Sequence, residues 1–297
     1  MTALPLKRTF TDSFGVEITF FEWPVANPRA VVQIAHGVGE HSRRYDHLAA
    51  AFNRAGFSVY AADQRGHGET GFSMVNAGIT KRQGNLGPGG MKATVEGVRH
   101  LSELINGENP DVPLVLFGHS GGSMIAQHIF NDYSHEYEGL ILSGSTLLLP
   151  GVLKTAGFNK KFEGEAEAKG EPMAAGSEWL SRDLKIGKEF KADPANFEDD
   201  AAKAFGIWNV LQVFTYPSKS IDHHVPILLV AGSDDPLGGE RGNLLLANAY
   251  RKVGVENLEV IIYDGARHEV VNEINKEDVI DDLVAWVATR AALPEEG

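Results

Sequence analysis

Gly118-His119-Ser120-Gly121-Gly122 stands between an apolar run over residues 112–117 and a stretch over residues 123–133 in which Ile125 and Ile129 share one helical face. A serine between two glycines at a passage from strand to helix reads as a nucleophile raised on a sharp turn. The neighbours of such a turn are crowded, so positions 118 and 122 must both lack a side chain, and both are glycine. The turn sets Ser120 at the positive end of the helix, where the Gly121 N–H can meet an oxygen that gains negative charge.

Working outward, short Val-, Ile-, Leu- and Phe-rich runs recur over residues 7–11, 16–21, 31–35, 57–61, 112–117, 139–143, 225–231 and 258–263. Between several of them lie helical stripes, Val95, Val98, Leu101 and Ile105 in one, Ile280, Leu283, Val284 and Val287 in another. This rhythm predicts an α/β fold with a mostly parallel central sheet of about eight strands flanked by helices. The first two runs pair across the Asp12-Ser13-Phe14-Gly15 turn. After Ser143 the alternation stops for roughly eighty residues, too long for a plain loop. The expected organisation is therefore a core over 1–145, a helical cap inserted after the sixth strand over 146–224, and the rest of the core over 225–297. Within the cap, 155–177 is rich in Lys, Glu, Gly and Ala and reads as weakly ordered. Ile207, Val210, Leu211 and Phe214 fall at i, i+3, i+4 and i+7 of an amphipathic helix, which serves packing or lines a pocket for an acyl chain.

A serine hydroxyl needs a base to take its proton and a carboxylate to orient that base. His268 follows the last strand run, at a strand's carboxyl end, where open α/β sheets build their sites. His223 and His224 precede a strand and belong at the opposite edge. The run 225–231 leads into Gly232-Ser233-Asp234-Asp235-Pro236. Asp235 keeps the order Ser, Asp, His and has Pro236 behind it, although sequence physics alone hardly separates it from Asp234. The run 31–35 leads into His36-Gly37-Val38-Gly39-Glu40-His41-Ser42, where the Val38 amide is the second candidate oxyanion donor beside Gly121. His36 and His41 do not have the spacing of a helical zinc motif. Asp63-Gln64-Arg65-Gly66-His67-Gly68 reads as a structural turn after a strand.

Composition narrows the partners. A net charge of −13 without a basic patch disfavours nucleic acid and anionic bilayers. The absence of cysteine removes disulfides, thiolate nucleophiles and Cys-ligated metals. With no signal-like or membrane-length apolar run, a cytoplasmic protein without stable membrane insertion is expected. Oligomeric state is not legible.

Taken in order, His36-Gly37-Val38-Gly39-Glu40-His41-Ser42 with Arg44-Tyr45, Asp63-x-Arg65-Gly66-His67-Gly68, the serine pentapeptide and Gly265-Ala266-Arg267-His268-Glu269 resemble the monoacylglycerol lipase and lysophospholipase family over nearly the whole chain. Leu180-Ser181-Arg182-Asp183 and Asp193-Pro194 look like that family's cap. The resemblance implies an α/β-hydrolase core, no cofactor, and hydrolysis of a monoacylglycerol, lysophospholipid or similar acyl ester through an acyl-enzyme. It also favours Asp235, three residues after the strand-end Gly232. The chain departs from the family in having Gly121 where Met is usual, and in a polar cap over 157–176, which points toward soluble or short-chain esters. Acyl transfer and peptide cleavage by the same triad remain alternatives, as does a non-catalytic ligand-binding homologue.

Overall fold

The computed structural model describes residues 4–147, 157–199 and 201–292. Eight strands, β1 (Leu6–Thr11), β2 (Glu17–Trp23), β3 (Ala30–Ala35), β4 (Phe57–Ala62), β5 (Leu114–His119), β6 (Gly139–Ser143), β7 (Ile227–Gly232) and β8 (Leu258–Tyr263), form one sheet. Its order is β1-β2-β4-β3-β5-β6-β7-β8. β1 and β2 form an antiparallel hairpin and β2 pairs antiparallel with β4, while every later pairing is parallel. All eight expected runs are strands. Three begin late: β2 by one residue, at Glu17, and β5 after Pro113 and β7 after Pro226, where proline has no N–H to give the ladder.

The inner strands are apolar on both faces because helices cover both. Val31, Leu116 and Leu229 enter one core, and Val32, Phe117 and Leu228 the other, so adjacent residues part to opposite sides. Gln33, buried in β3, is satisfied by Val98 O and by the Ser102 hydroxyl. The helices around the sheet are α1 (Asp46–Arg54), α2 (Gly68–Asn76), α3 (Gly90–Glu108) and α4 (Gly121–Tyr133), and after the insert α9 (Gly239–Val253) and α10 (Lys276–Arg290). Both expected stripes face inward, through Val98, Leu101 and Ile105 of α3 and Ile280, Leu283 and Val287 of α10.

Between β6 and β7 the chain forms the short helices α5 (Glu165–Ala168), α6 (Leu184–Ala192), α7 (Ala201–Phe205) and α8 (Ile207–Leu211). Two expectations are corrected here. The polar stretch is built rather than loose over its described part, 157–177: Phe162, Ala166 and Ala174 are buried, and the Arg267 guanidinium lies 4.1 Å from the Phe162 ring centre. Residues 155 and 156 lie outside the described residues. The amphipathic helix ends at Leu211, where Val213 N–H to Val210 O and Phe214 N–H to Leu211 O replace the four-residue ladder, so Phe214 lies beyond it. Among the described residues no helix is long and apolar enough to cross a membrane.

Candidate active site

β5 passes into α4 through Ser120, whose backbone sits at φ 51° and ψ −120°, a conformation rarely taken by a residue with a side chain. Three contacts hold it there. Ser120 N–H donates to Ser143 O at the end of β6, 2.9 Å away, and Ser120 O accepts from the Ser123 N–H and hydroxyl. The flanking glycines are sterically required. A Cβ on Gly118 would fall 2.7 Å from Gly122 O, and one on Gly122 would fall 2.1 Å from Ala35 O.

β7 and β8 end side by side, so close that a Cβ on Gly232 would meet Ala266 O at 2.0 Å. This approach brings Asp235 and His268 together. His268 Nδ1 donates to Asp235 Oδ1 at 3.0 Å, and the same oxygen accepts from Leu237 N–H at 2.8 Å. Their side chains are 3% and 0% exposed, and because Nδ1 carries the proton given to Asp235, the neutral ring has its lone pair on Nε2. Burial alone would lower the proton affinity of His268. The charge and hydrogen bond of Asp235, with Glu269 and Glu40 behind them, more than reverse this and hold it above the ordinary value. Asp234 takes a different role: it faces outward to Lys161 at 2.6 Å.

His268 is walled by the rings of His119 and Trp179, each centred 4.8 Å away. Burial, then the neighbouring His268, pushes His119 down to about 4, so it stays neutral at pH 7. Neighbours in the sequence brace the base loop from two sides. Arg267 donates to Glu178 O and Ser181 O, and Glu269 N–H donates to Leu180 O.

The loop after β3 lies against the serine turn. A Cβ on Gly37 would be 3.0 Å from Ser120 Cβ, and one on Gly121 would be 3.4 Å from Val38 N and 2.6 Å from Val38 Cγ2. The two candidate amides, of Val38 and Gly121, are therefore neighbours, and the Val38 side chain occupies the space that a residue larger than glycine would need. Glu40 secures the loop: its Oε1 accepts from Gly37 N–H at 2.5 Å and Tyr45 Oη at 2.7 Å. Burial raises the Glu40 carboxyl, but Arg44 outweighs that and holds it at about 2, so it is ionised.

Ser120, Gly121, Val38 and His268 line one cavity of about 820 Å³, a size ordinary for small-molecule sites. Ile207, Val210, Leu211 and Phe214 line it too, on different terms. Val210 is buried, Ile207 and Leu211 are 55% and 49% exposed at its rim, and Phe214 is half-buried. Trp208, on the same short helix, is 77% exposed. The sequence reading missed Trp179, Phe197, Phe205 and His67, which also line the cavity. Aromatic residues in the insert were the only available signal for the first three.

The other histidines lie as follows. His36 Nδ1 donates to Gly37 O while Nε2 accepts from Gln64 N–H, and His41 Nε2 meets Asp193 Oδ2 at 2.9 Å. Both rings are thus engaged within the fold. His224 is exposed and faces Glu256, away from the cavity. In the turn after β4, Asp63 accepts from Ser42 and Glu69 N–H groups and Arg65 binds Asp12 and Leu86 O, a structural role for both.

Residues 26–275 match the family described as serine aminopeptidase, S33. The monoacylglycerol lipase of Mycolicibacterium smegmatis is 30% identical over 291 residues, spanning 95% of this chain and 97% of that protein. The monoglyceride lipase of Mus musculus is 27% identical over 92% of this chain and 87% of its own length. In structure, a highly thermostable carboxyl esterase from Bacillus coagulans, solved in complex with glycerol, superposes with a TM-score of 0.80 at 26% identity, covering 97% of this chain and 99% of that one. The chain therefore belongs to the serine aminopeptidase S33 family of α/β-hydrolases and is a relative of the monoacylglycerol lipases.

Proposed function

We propose that the protein hydrolyses a carboxylic ester of the monoacylglycerol kind through an acyl-enzyme on Ser120. His268 Nε2 takes the Ser120 proton as Oγ attacks the ester carbon, and Asp235 steadies the imidazolium that forms. The carbonyl oxygen gains charge between the Val38 and Gly121 N–H groups, each such donor contributing about 3 kcal/mol at the transition state. The intermediate collapses as His268 gives its proton to the leaving alcohol. Water, activated by the same histidine, then releases the acid. The observation that carries this reading is the buried His268–Asp235 hydrogen bond at 3.0 Å beside a cavity that also holds the strained Ser120 turn.

The segment over 146–224 serves as the cap in this reading, with Ile207, Val210, Leu211 and Phe214 forming part of the acyl pocket. The names of the relatives support a lipase or esterase over the peptidase in the family's description, and the apolar side chains lining the cavity agree with an acyl group. The reaction uses only these side chains, and the protein acts in the cytoplasm on a small substrate. Intact mass after incubation with a fluorophosphonate tests it: one adduct on the wild type and none on Ser120→Ala is expected, with turnover of acyl esters lost in the variant. A Ser120→Ala protein that keeps ester turnover within tenfold sinks the assignment.

A further inference from the structure

Asp235 Oδ1 takes the Nδ1 proton of His268 at 3.0 Å, which fixes the tautomer but leaves the imidazole free to rock about its bond to Cβ. A rocking ring carries Nε2 through an arc, and proton transfer tolerates little displacement. Trp179, a residue of the insert, stands against that motion: its ring is centred 4.8 Å from that of His268, with the two planes 34° apart. The backbone ties the same segments, since His268 N–H donates to Trp179 O at 3.4 Å and Glu269 N–H to Leu180 O at 2.8 Å. Trp179 is itself fixed from within the insert. Its N–H donates to Asn159 Oδ1 at 2.9 Å, the Asn159 amide donates to Glu178 Oε2 at 2.6 Å, and the Phe158 ring is centred 5.2 Å from the indole.

The groups that face His268 leave the indole a second task. Asp235 hydrogen-bonds the ring, Glu269 follows it in the chain and Glu40 stands behind, all carboxylates, while His119 is the other ring beside it. Burial and the neighbouring His268 push His119 down to about 4, so it adds no positive charge at neutral pH. A cation within about 6 Å of an aromatic centre is attracted by the negative face of the ring, and tryptophan presents the strongest such face. During turnover His268 becomes a cation twice. Ser120 gives its proton to Nε2 as Oγ attacks the ester, and the leaving alcohol carries it away; water then gives Nε2 a proton, which Ser120 Oγ takes back as the acid leaves. We infer that Trp179 is a positioning residue of the ester hydrolysis, which fixes the plane of the His268 ring and stabilises the imidazolium formed in each half of the reaction. The inference rests on the ester-hydrolase reading above, and it makes the base complete only when the insert is seated on it.

The test measures leaving-group selectivity, because the alcohol depends on His268 for its proton. Ethyl and trifluoroethyl esters of butyrate and octanoate have alcohols of similar size, yet trifluoroethoxide leaves with far less need of a proton. The ratio of kcat/KM for the trifluoroethyl ester to that for the ethyl ester therefore rises when Nε2 is misplaced, whereas a general loss of rate cancels. The full-length wild type is compared with Trp179→Leu, which keeps apolar bulk without an aromatic face, and with Trp179→Phe, which restores a weaker one. Trp179→Leu is expected to raise the ratio about tenfold and Trp179→Phe to bring it most of the way back. The midpoint of kcat/KM against pH is expected to fall by about half a unit in Trp179→Leu, since the ring then takes up its proton less readily, and to recover in Trp179→Phe. An unchanged ratio or an unchanged midpoint in Trp179→Leu overturns the proposal while leaving the hydrolase reading standing. Equal losses on both esters reduce Trp179 to packing. Tryptophan fluorescence gives a second reading that needs no change at 179 and decides alone where Trp179→Leu does not fold, because histidinium in contact with indole quenches its emission. The wild type is expected to dim as pH falls through the kcat/KM midpoint, and His268→Asn to show no such step. A step missing from the wild type, or one that persists in His268→Asn, overturns the contact and the proposal with it. Absence of turnover of every ester by the wild type is the distinct failure of the hydrolase reading itself.

Discussion

Arg44 and Glu269 form a two-pronged pair, with each terminal guanidinium nitrogen 2.7 Å from one carboxylate oxygen. Arg44 also donates to Glu40 at 2.7 Å, so one side chain joins the loop that presents Val38 to the loop that presents His268. Arg44 is 11% exposed and Glu40 and Glu269 are 4% and 3% exposed, which makes the three a buried, net negative triad held by its one cation. Removing that cation strands two buried carboxylates. Arg44→Ala is therefore expected to cost about 3–5 kcal/mol of stability, read by denaturant unfolding. Arg44→Lys keeps the charge but loses the fork, and should lower kcat more than it raises KM. An Arg44→Ala protein of wild-type stability would show that the triad does not hold the two loops.

The neighbours Asp234 and Asp235 differ in what they face, and their amides should differ accordingly. Asp235→Asn leaves the shape of the site but offers His268 Nδ1 the wrong partner, and a loss in kcat of about 10⁴ is expected. Asp234→Asn gives up a surface pair with Lys161, worth about 0–1 kcal/mol, and should leave turnover within a few fold. A larger loss from Asp234→Asn than from Asp235→Asn would reverse the assignment of the acid.

The pH profile follows from the same pair. The base works only when neutral, and His268 holds its proton above the ordinary 6.5 because Asp235 outweighs burial. Activity as kcat/KM should accordingly rise with pH through a midpoint higher than 6.5, being low where His268 is protonated and full above it. With Asp235→Asn the burial that lowers the ring is no longer offset by that charge, so the midpoint of the residual activity should move down. A profile that is flat from about pH 5 to 9 would remove His268 from the base's role.

Gly121 and Val38 compete for one space, since a Cβ at 121 would lie 2.6 Å from Val38 Cγ2. Gly121→Ala should push the Val38 loop away from the serine turn and lower kcat by tenfold or more, because the two N–H donors lose their common focus. Val38→Ala alone should have a smaller effect, as it leaves the amide in place. The double variant should recover much of the loss. Additive effects of the two changes would refute the steric coupling, and a double-mutant cycle on kcat measures it.

Much of this arrangement is legible in the sequence because it depends on local pattern. Runs such as Ile227–Gly232 are apolar at every position, which only a strand covered on both faces tolerates, and glycines at 118 and 122 declare the serine turn. What sequence hides is set by contacts across the fold. Asp234 and Asp235 are nearly equivalent as text and become distinct only when Lys161 of the insert takes one and His268 the other. The polar stretch over 157–177 carries no strong helix signal, and its order comes from burying Phe162 beneath Arg267, more than a hundred residues away. His67 belongs to a run that reads correctly as a turn, since Asp63 and Arg65 are structural. Its buried place, with Arg65 O on one side and the rings of Phe197 and Phe205 on the other, is something no spacing announces.

The cavity rim offers the last test, because α8 presents two adjacent residues in opposite circumstances. Leu211 is 49% exposed and lines the cavity, whereas Val210 lines it while 8% exposed and packed in the insert. A tryptophan at 211 can extend across the mouth without displacing buried neighbours. Leu211→Trp should therefore lower kcat/KM for long acyl chains relative to acetate esters, by an amount equivalent to about 1–3 kcal/mol, at an unchanged Tm. Val210→Ala removes buried methyl groups, so it should lower Tm and weaken turnover of short and long esters together. The contrast matters more than either value. If Leu211→Trp lowered Tm and reduced all substrates alike, the side chain would be part of the packing beneath the insert rather than of the pocket mouth. Chain-length preference would then have to come from deeper residues such as Phe205.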